Sequence, residues 1–111
     1  MAHYLAELYS PTAQWLALPQ PERQQYFAKI GAGMPALTEL GVEVLALGET
    51  SLCIHGASQK FFALWRLPNA EITHILMSAI ADTGWHDYFE TINAVGAGVD
   101  FPAHLQQLAA A

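Results

Sequence analysis

The sequence predicts an α+β fold in which two helices cover one face of a four-stranded antiparallel sheet. Three observations predict it. Hydrophobic periodicity runs in the order strand, helix, strand, strand, helix, strand. The strand candidates in the middle of the chain are apolar on both sides. Of the 111 residues 53% are apolar and only 13% charged, about half the usual charged share, which excludes disorder and calls for an unusually large buried fraction. At 12.1 kDa the chain is expected to form one domain over residues 1–111, with no internal boundary.

The first strand is expected over residues 3–9, with Tyr4, Ala6 and Leu8 on one side and Leu5, Glu7 and Tyr9 on the other, stopped by Ser10-Pro11. The connector 12–19 carries Trp15, Leu16 and Leu18, too apolar for a solvated loop, and is expected to fold over the core as a short turn or lid. A helix should begin near Gln20, with Pro21 at its first position and Glu22 favourable against the dipole. Phe27, Ile30, Met34 and Leu37 form its expected buried stripe, which holds phase through Pro35. One kinked helix is therefore predicted, ending at Leu40 with Gly41 as its left-handed cap.

Residues 42–47 are aliphatic and β-branched and predict the second strand, with Gly48-Glu49-Thr50 turning away. Residues 60–67 predict the third. Between them, residues 51–59 either extend the hairpin through Leu52, Cys53 and Ile54 or form a loose loop. Asn69 suits the N-cap of a second helix, whose stripe is Ile72, Ile75, Leu76, Ala79 and Ile80 and whose end is Gly84. Residues 87–95 alternate as a fourth strand, broken by Gly96 to Gly98, and residues 101–110 form a short C-terminal helix or arm with Leu105 and Leu108 apolar.

This order is the split βαβ pattern of the ferredoxin-like fold. Two helices cover one face of such a sheet, so a monomer should keep the other face polar. It is not polar. Phe62 and Leu64 lie on one side of the third strand, and Phe61, Ala63, Trp65 and Leu67 on the other. The simplest cover is the same face of a second copy across a two-fold axis, so a homodimer is expected. The order, the doubly apolar sheet and the length resemble the dimeric α+β-barrel superfamily, which includes small antibiotic-biosynthesis-type monooxygenases. Ser10-Pro11 with residues 15–18, the Phe61 to Trp65 strand, and residues 84–90 with Asn93-Ala94 also resemble a group of short bacterial proteins of unknown function. That narrower resemblance spans most of the chain and implies no established activity.

Charge and cysteine content narrow the function classes. A net charge of −6 repels phosphate backbones and anionic lipid, which argues against nucleic acid and membrane partners. Cys53 is the single cysteine, so no intrachain disulfide can form, and it is expected to be a small buried hydrophobe. With no basic leader and no apolar run of about 18 residues, the chain reads as a cytoplasmic soluble protein.

Residues 84–94 hold three aromatics, an imidazole, two carboxylates and a carboxamide, the densest polar cluster in the chain. On a strand Tyr88 and Glu90 share one face with Ile92, while Asp87, Phe89, Thr91 and Asn93 share the other. If a pocket lies between sheet and helices, Glu90 is its candidate general base and Tyr88 its hydrogen-bond donor, whereas a structural Glu90 would accept hydrogen bonds at the dimer rim. His86 is a candidate metal ligand, proximal haem ligand or acid/base, against a plain strand-start residue. No HxH or HExxH spacing favours a metal, and no cofactor is expected. Trp15, Trp65, Trp85 and Asn93 are candidate ligand-binding residues, against the plainer reading of the aromatics as core. Arg66 either holds a ligand carboxylate or, as preferred, pairs with Glu7, Glu43 or Glu90.

Two functions are compatible with these residues. One is a homodimer binding a small apolar or aromatic molecule in a pocket between sheet and helices. The other is a cofactor-independent enzyme of the monooxygenase or isomerase kind, with Glu90, Tyr88 and His86 moving the proton.

Overall fold

The computed structural model describes residues 1–111. Its elements are β1 (His3–Pro11), α1 (Ala13–Leu16), α2 (Gln20–Glu39), β2 (Glu43–Glu49), β3 (Phe61–Leu67), α3 (Ala70–Asp82), α4 (Trp85–Tyr88), β4 (Phe89–Ala97) and α5 (Phe101–Ala109). The four strands form one antiparallel sheet in the order β2-β3-β1-β4, the predicted ferredoxin-like arrangement. β1 is central and pairs along its length with β4, from His3 opposite Ala97 to Pro11 opposite Phe89. Pro11 can join because it stands at the last rung, where a missing donor is tolerated.

α2 runs without interruption through Pro35 and ends where Gly41, at φ 95°, turns the chain. Only Tyr26 of this helix is buried. Ile30, Met34 and Leu37 are half-buried and Phe27 is exposed, so the expected stripe is largely uncovered rather than core. α3 is the better anchored helix: Asn69 caps it by accepting from the Ile72 amide at 2.9 Å, and Leu76 is buried. Leu76 joins Leu5, Val42 and Leu67 in one core cluster, with Leu37, Trp65, Ile72, Met77 and Ile80 packed around it. A second cluster, Trp15, Tyr26 and Phe89, fills the other end of the helix side.

Two local expectations, the start of the fourth strand and the burial of Cys53, are corrected, and the open choice at residues 51–59 is settled. The fourth strand does not begin at Asp87: Gly84, at φ 82°, starts the single-turn helix α4, and β4 begins only at Phe89 and passes through Gly96. Residues 51–59 form a loop, closed at its neck by the Thr50 amide donating to the Lys60 carbonyl at 2.9 Å. Cys53 lies in that loop and is exposed, as are Leu52 and Ile54, because the neck closes before they can join the sheet.

The opposite face of the sheet carries Tyr4, Leu64 and Ile92, all exposed, with Ala6, Leu8 and Phe62 half-buried. No element of the chain packs down on it as α3 packs on the other side. The chain measures 50 × 37 × 19 Å, the thickness of one sheet and one helical layer.

Candidate functional site

A carboxylate in the middle of the sheet is the chemical anomaly of this fold. Glu7 lies on β1 between Ala63 of β3 and Asn93 of β4, on the helix side, and is 4% exposed. Alternation put it there: Leu5, Glu7 and Tyr9 point one way, toward the helices. Its Oε1 accepts a hydrogen bond from the Trp65 indole Nε1 at 2.7 Å. No cation reaches it. Arg66 pairs instead with Glu43 at 3.6 Å on the exposed side, and Arg23 donates to the Leu16 and Leu18 carbonyls.

Burial without a counter-charge pushes the Glu7 carboxyl above its ordinary pKa of 4.5, partly offset by the Trp65 hydrogen bond and the nearby His86 imidazole. Next along the strand, Tyr9 is also raised, by burial and then by the Glu7 charge. Tyr9 stacks on Phe61 at 6.0 Å and meets the edge of Trp85 at 5.1 Å. Trp85 stacks on Phe89 at 4.1 Å and donates to the Thr91 hydroxyl at 3.0 Å. Glu7 therefore stands in a row of oriented aromatic side chains, with Asn93 opposite it and exposed.

Beyond Tyr9 the helix side is filled. Trp15 packs at 4.9 Å from Phe89, 5.4 Å from Tyr88 and 5.7 Å from Tyr26, and the Arg23 guanidinium lies over its ring at 5.4 Å. The Thr12 amide donates to the Tyr88 carbonyl at 2.8 Å, and the Thr12 hydroxyl to the Asp87 carbonyl at 2.8 Å, so α1 is tied to α4. Trp15 is thus a core residue at 6% exposure, not the surface of a lid.

The candidate residues read from the sequence fall into three places. Trp65, Trp85 and Asn93 lie on the helix side with Glu7, and His86, exposed on α4, is near enough to influence its charge. Trp15 and Tyr88 are part of the filled aromatic cluster. Glu90 and Arg66 are exposed on the opposite side of the sheet. The expectation that Glu90 and Tyr88 share a helix-side pocket is corrected by the turn of helix at 85–88, which sets the phase of β4 so that Phe89 and Thr91 point inward. Sequence reasoning missed Glu7 as a site residue. The available signal was a lone acid between Leu5 and Tyr9 in an apolar strand.

No group of three or more His, Cys, Asp or Glu side chains is placed to hold a metal ion. An apolar concavity of about 480 Å³ lies on the open face, where Tyr4, Leu64 and Ala94 face His104 and Gln107 of α5. Another of about 490 Å³ lies on the outer side of α3, beside His74, Ser78 and Asp82.

Residues 2–111 match a family described as a family of unknown function, DUF6616. This chain belongs to DUF6616. A comparison with curated proteins finds no match. Among solved structures, the DUF6616 chain is similar to a protein assigned as a chlorite dismutase, TA0507, at 19% identity and a TM-score of 0.65, over 90% of this chain and 45% of that one. It is similar also to a doubly substituted chlorite dismutase from Candidatus Nitrospira defluvii, at 13% identity and a TM-score of 0.66, over 93% and 43% of the two chains. At these identities the likeness is one of fold. The DUF6616 chain spans less than half the length of either neighbour. No helix in it is long and apolar enough to cross a membrane.

Glu7→Gln should raise Tm at pH 7 by about 2–5 °C, since the amide oxygen still accepts from Trp65 and no charge is buried. An acid whose pKa is higher in the folded state contributes most below its unfolded value of 4.5, and that contribution is lost as pH rises through the folded value. The wild type should therefore lose stability over that window and Glu7→Gln should not. Parallel pH–Tm profiles for the two proteins would rule this out.

Proposed function

We propose that this protein is a homodimer that binds a small apolar or aromatic molecule on the helix side of its sheet, with Glu7 as the polar anchor. The observation that carries the reading is the buried carboxyl of Glu7, with no lysine or arginine paired to it, beside exposed Asn93 and hydrogen-bonded to the Trp65 indole, with the Trp85 ring against Tyr9 two residues along the strand. A few oriented polar groups among aromatic side chains is the usual make-up of a small-molecule site. A carboxyl whose pKa is raised by burial can accept a hydrogen bond from a ligand when ionised or donate one when protonated.

The coupling of Glu7 to His86 favours a second reading in the same place, cofactor-independent proton transfer of the isomerase or monooxygenase kind. There Glu7 replaces Glu90 as the base, with His86, exposed on α4, as the second polar group of the site.

Surface area supports the homodimer. The chain exposes 7591 Å², whereas a compact monomer of 12.1 kDa exposes about 6,000 Å². Its radius of gyration is 15.9 Å against about 13 Å for 111 residues. Placing a charge in the open apolar face, as in Ile92→Asp, should convert a dimer of twice 12.1 kDa into a monomer by light scattering.

Native mass spectrometry of freshly purified protein, followed by a thermal-shift screen of small aromatic and aliphatic molecules bearing one hydrogen-bonding group, tests the binding. The expected result is a molecule that stabilises the wild type and is lost from Glu7→Leu while the dimer persists. Equal binding to both proteins would remove Glu7 from the site. Turnover of the bound molecule that disappears in Glu7→Gln would favour the enzymatic reading.

A further inference from the structure

α5 is a well-formed helix with nothing to pack on. Asp100 caps it by accepting from the Ala103 amide at 2.9 Å, and Pro102 suits its first turn. Nine residues are too few for a helix to persist in water on propensity alone, so an apolar face of α5 must be buried somewhere. That face is Phe101, Leu105 and Leu108, which fall within about 60° of one another around the helix. They are 73%, 48% and 59% exposed. The side that α5 turns to its own sheet, across the open-face groove, carries His104 and Gln107, whose side chains hydrogen-bond each other at 3.0 Å. The apolar stripe is therefore rotated about a quarter turn away from its own sheet.

One other apolar feature is equally unpartnered. β2 is an edge strand with no charged residue from Val44 to Gly48 to guard it; exposed Leu45, at the bulge, lies on the open face with Tyr4 and Leu64, while exposed Val44 and Leu47 lie on the helix side of the same edge. Such an edge invites pairing or cover. In the chain's own sheet, β2 lies at the opposite edge from β4, whose end leads into α5. A two-fold axis running along the strands, between two open faces, reverses the order of one sheet over the other and sets β4 of each copy above β2 of its partner.

We propose that α5 is an exchanged clasp, its Phe101, Leu105 and Leu108 stripe lying on the β2 edge of a second copy of this chain. The inference rests on the homodimer proposed above and specifies how its ends are closed. Two such clasps form per dimer, by symmetry. The surface that each chain exposes in excess of a compact monomer, on the order of 1,600 Å², falls within the range an obligate dimer buries per partner.

Sedimentation equilibrium on the full chain and four variants tests this. The Leu105→Asp/Leu108→Asp double variant should weaken the dimer by roughly 100-fold or more while its circular dichroism stays native, because both positions are exposed in the single chain. Leu45→Asp should do the same. In a Cys53→Ser background, Leu105→Cys with Leu45→Cys should oxidise to a covalent dimer. If the α5 double variant dimerises as the wild type does while Ile92→Asp is monomeric, the clasp is wrong and the face-to-face dimer stands. Weakening by the α5 variant alone, without a β2 effect or a cross-link, would overturn β2 as the receiving surface. A wild type that is monomeric at about 100 μM would overturn the dimer and the clasp together.

Discussion

Trp15→Ala should cost about 3–5 kcal/mol, lowering Tm by about 15 °C or more at fixed protein concentration. The indole is 6% exposed and its ring lies within 5.7 Å of Tyr26, Phe27, Tyr88 and Phe89. Its removal leaves a void walled by rigid rings that cannot collapse into it, which is the expensive kind of truncation. It also frees the Arg23 guanidinium from the ring face. Trp15→Phe, which keeps an aromatic ring there, should cost only about 1–2 kcal/mol. Calorimetry on the two variants distinguishes a core residue from a lid: a lid would show near-normal stability in both.

Gly41→Ala should cost about 2–4 kcal/mol, read as a lowered urea midpoint at unchanged m-value. Two penalties combine. The residue sits at φ 95°, where an L side chain is strained, and an added Cβ would lie 2.6 Å from Cγ of Pro68. A proline ring has little freedom to move aside. The turn after α2 is thus wedged against the residue that precedes α3, joining two elements far apart in sequence. Pro68→Ala in the Gly41→Ala background should recover the steric part and leave about 1 kcal/mol of backbone strain, a non-additivity that separates the two causes. Simple addition of the two single-variant costs would show that the ring is not the obstacle.

Most of the fold was legible because its signals are local. Alternation placed Leu5, Glu7 and Tyr9 on one face, the Asn69 cap marked the start of α3, and Gly41 marked the end of α2. The errors lie where distant segments decide. Residues 85–88 alternate like a strand, but Gly84 at positive φ and the Thr12 bonds to the Asp87 and Tyr88 carbonyls bend them into a helical turn. That one turn moved Glu90 to the open face and took Tyr88 into a packed cluster. Cys53 reads as core by composition, yet it lies in the 51–59 loop beyond a hairpin neck tied by Thr50 to Lys60 and Gln59. The helix stripe of α2 was read correctly as a pattern, but a pattern cannot say whether a partner surface is present in the same chain.

Glu7 illustrates the same limit for the site. Its face was readable from period two, but its burial depends on Trp65 and on helices contributed from the far half of the sequence. An acid between two apolar neighbours is ordinarily a solvated strand residue. Only its burial with no lysine or arginine paired to it, in a chain with four such residues, makes it chemically unusual.

The central position of β1 has a consequence for the order of assembly. Its partners are β3 and β4, so His3 must find both Leu67 and Ala97, while β2 and β3 pair across one loop. Closing such long loops before any contact repays their entropy makes folding slow for the chain's size. During synthesis the β2–β3 hairpin can form as soon as it leaves the ribosome, but β1, made before both of its partners, has an unpaired edge until β4 emerges. β1 therefore spends the interval between its own synthesis and that of β4 as an apolar ribbon without its second neighbour, the period in which it is most exposed to pairing with the wrong chain.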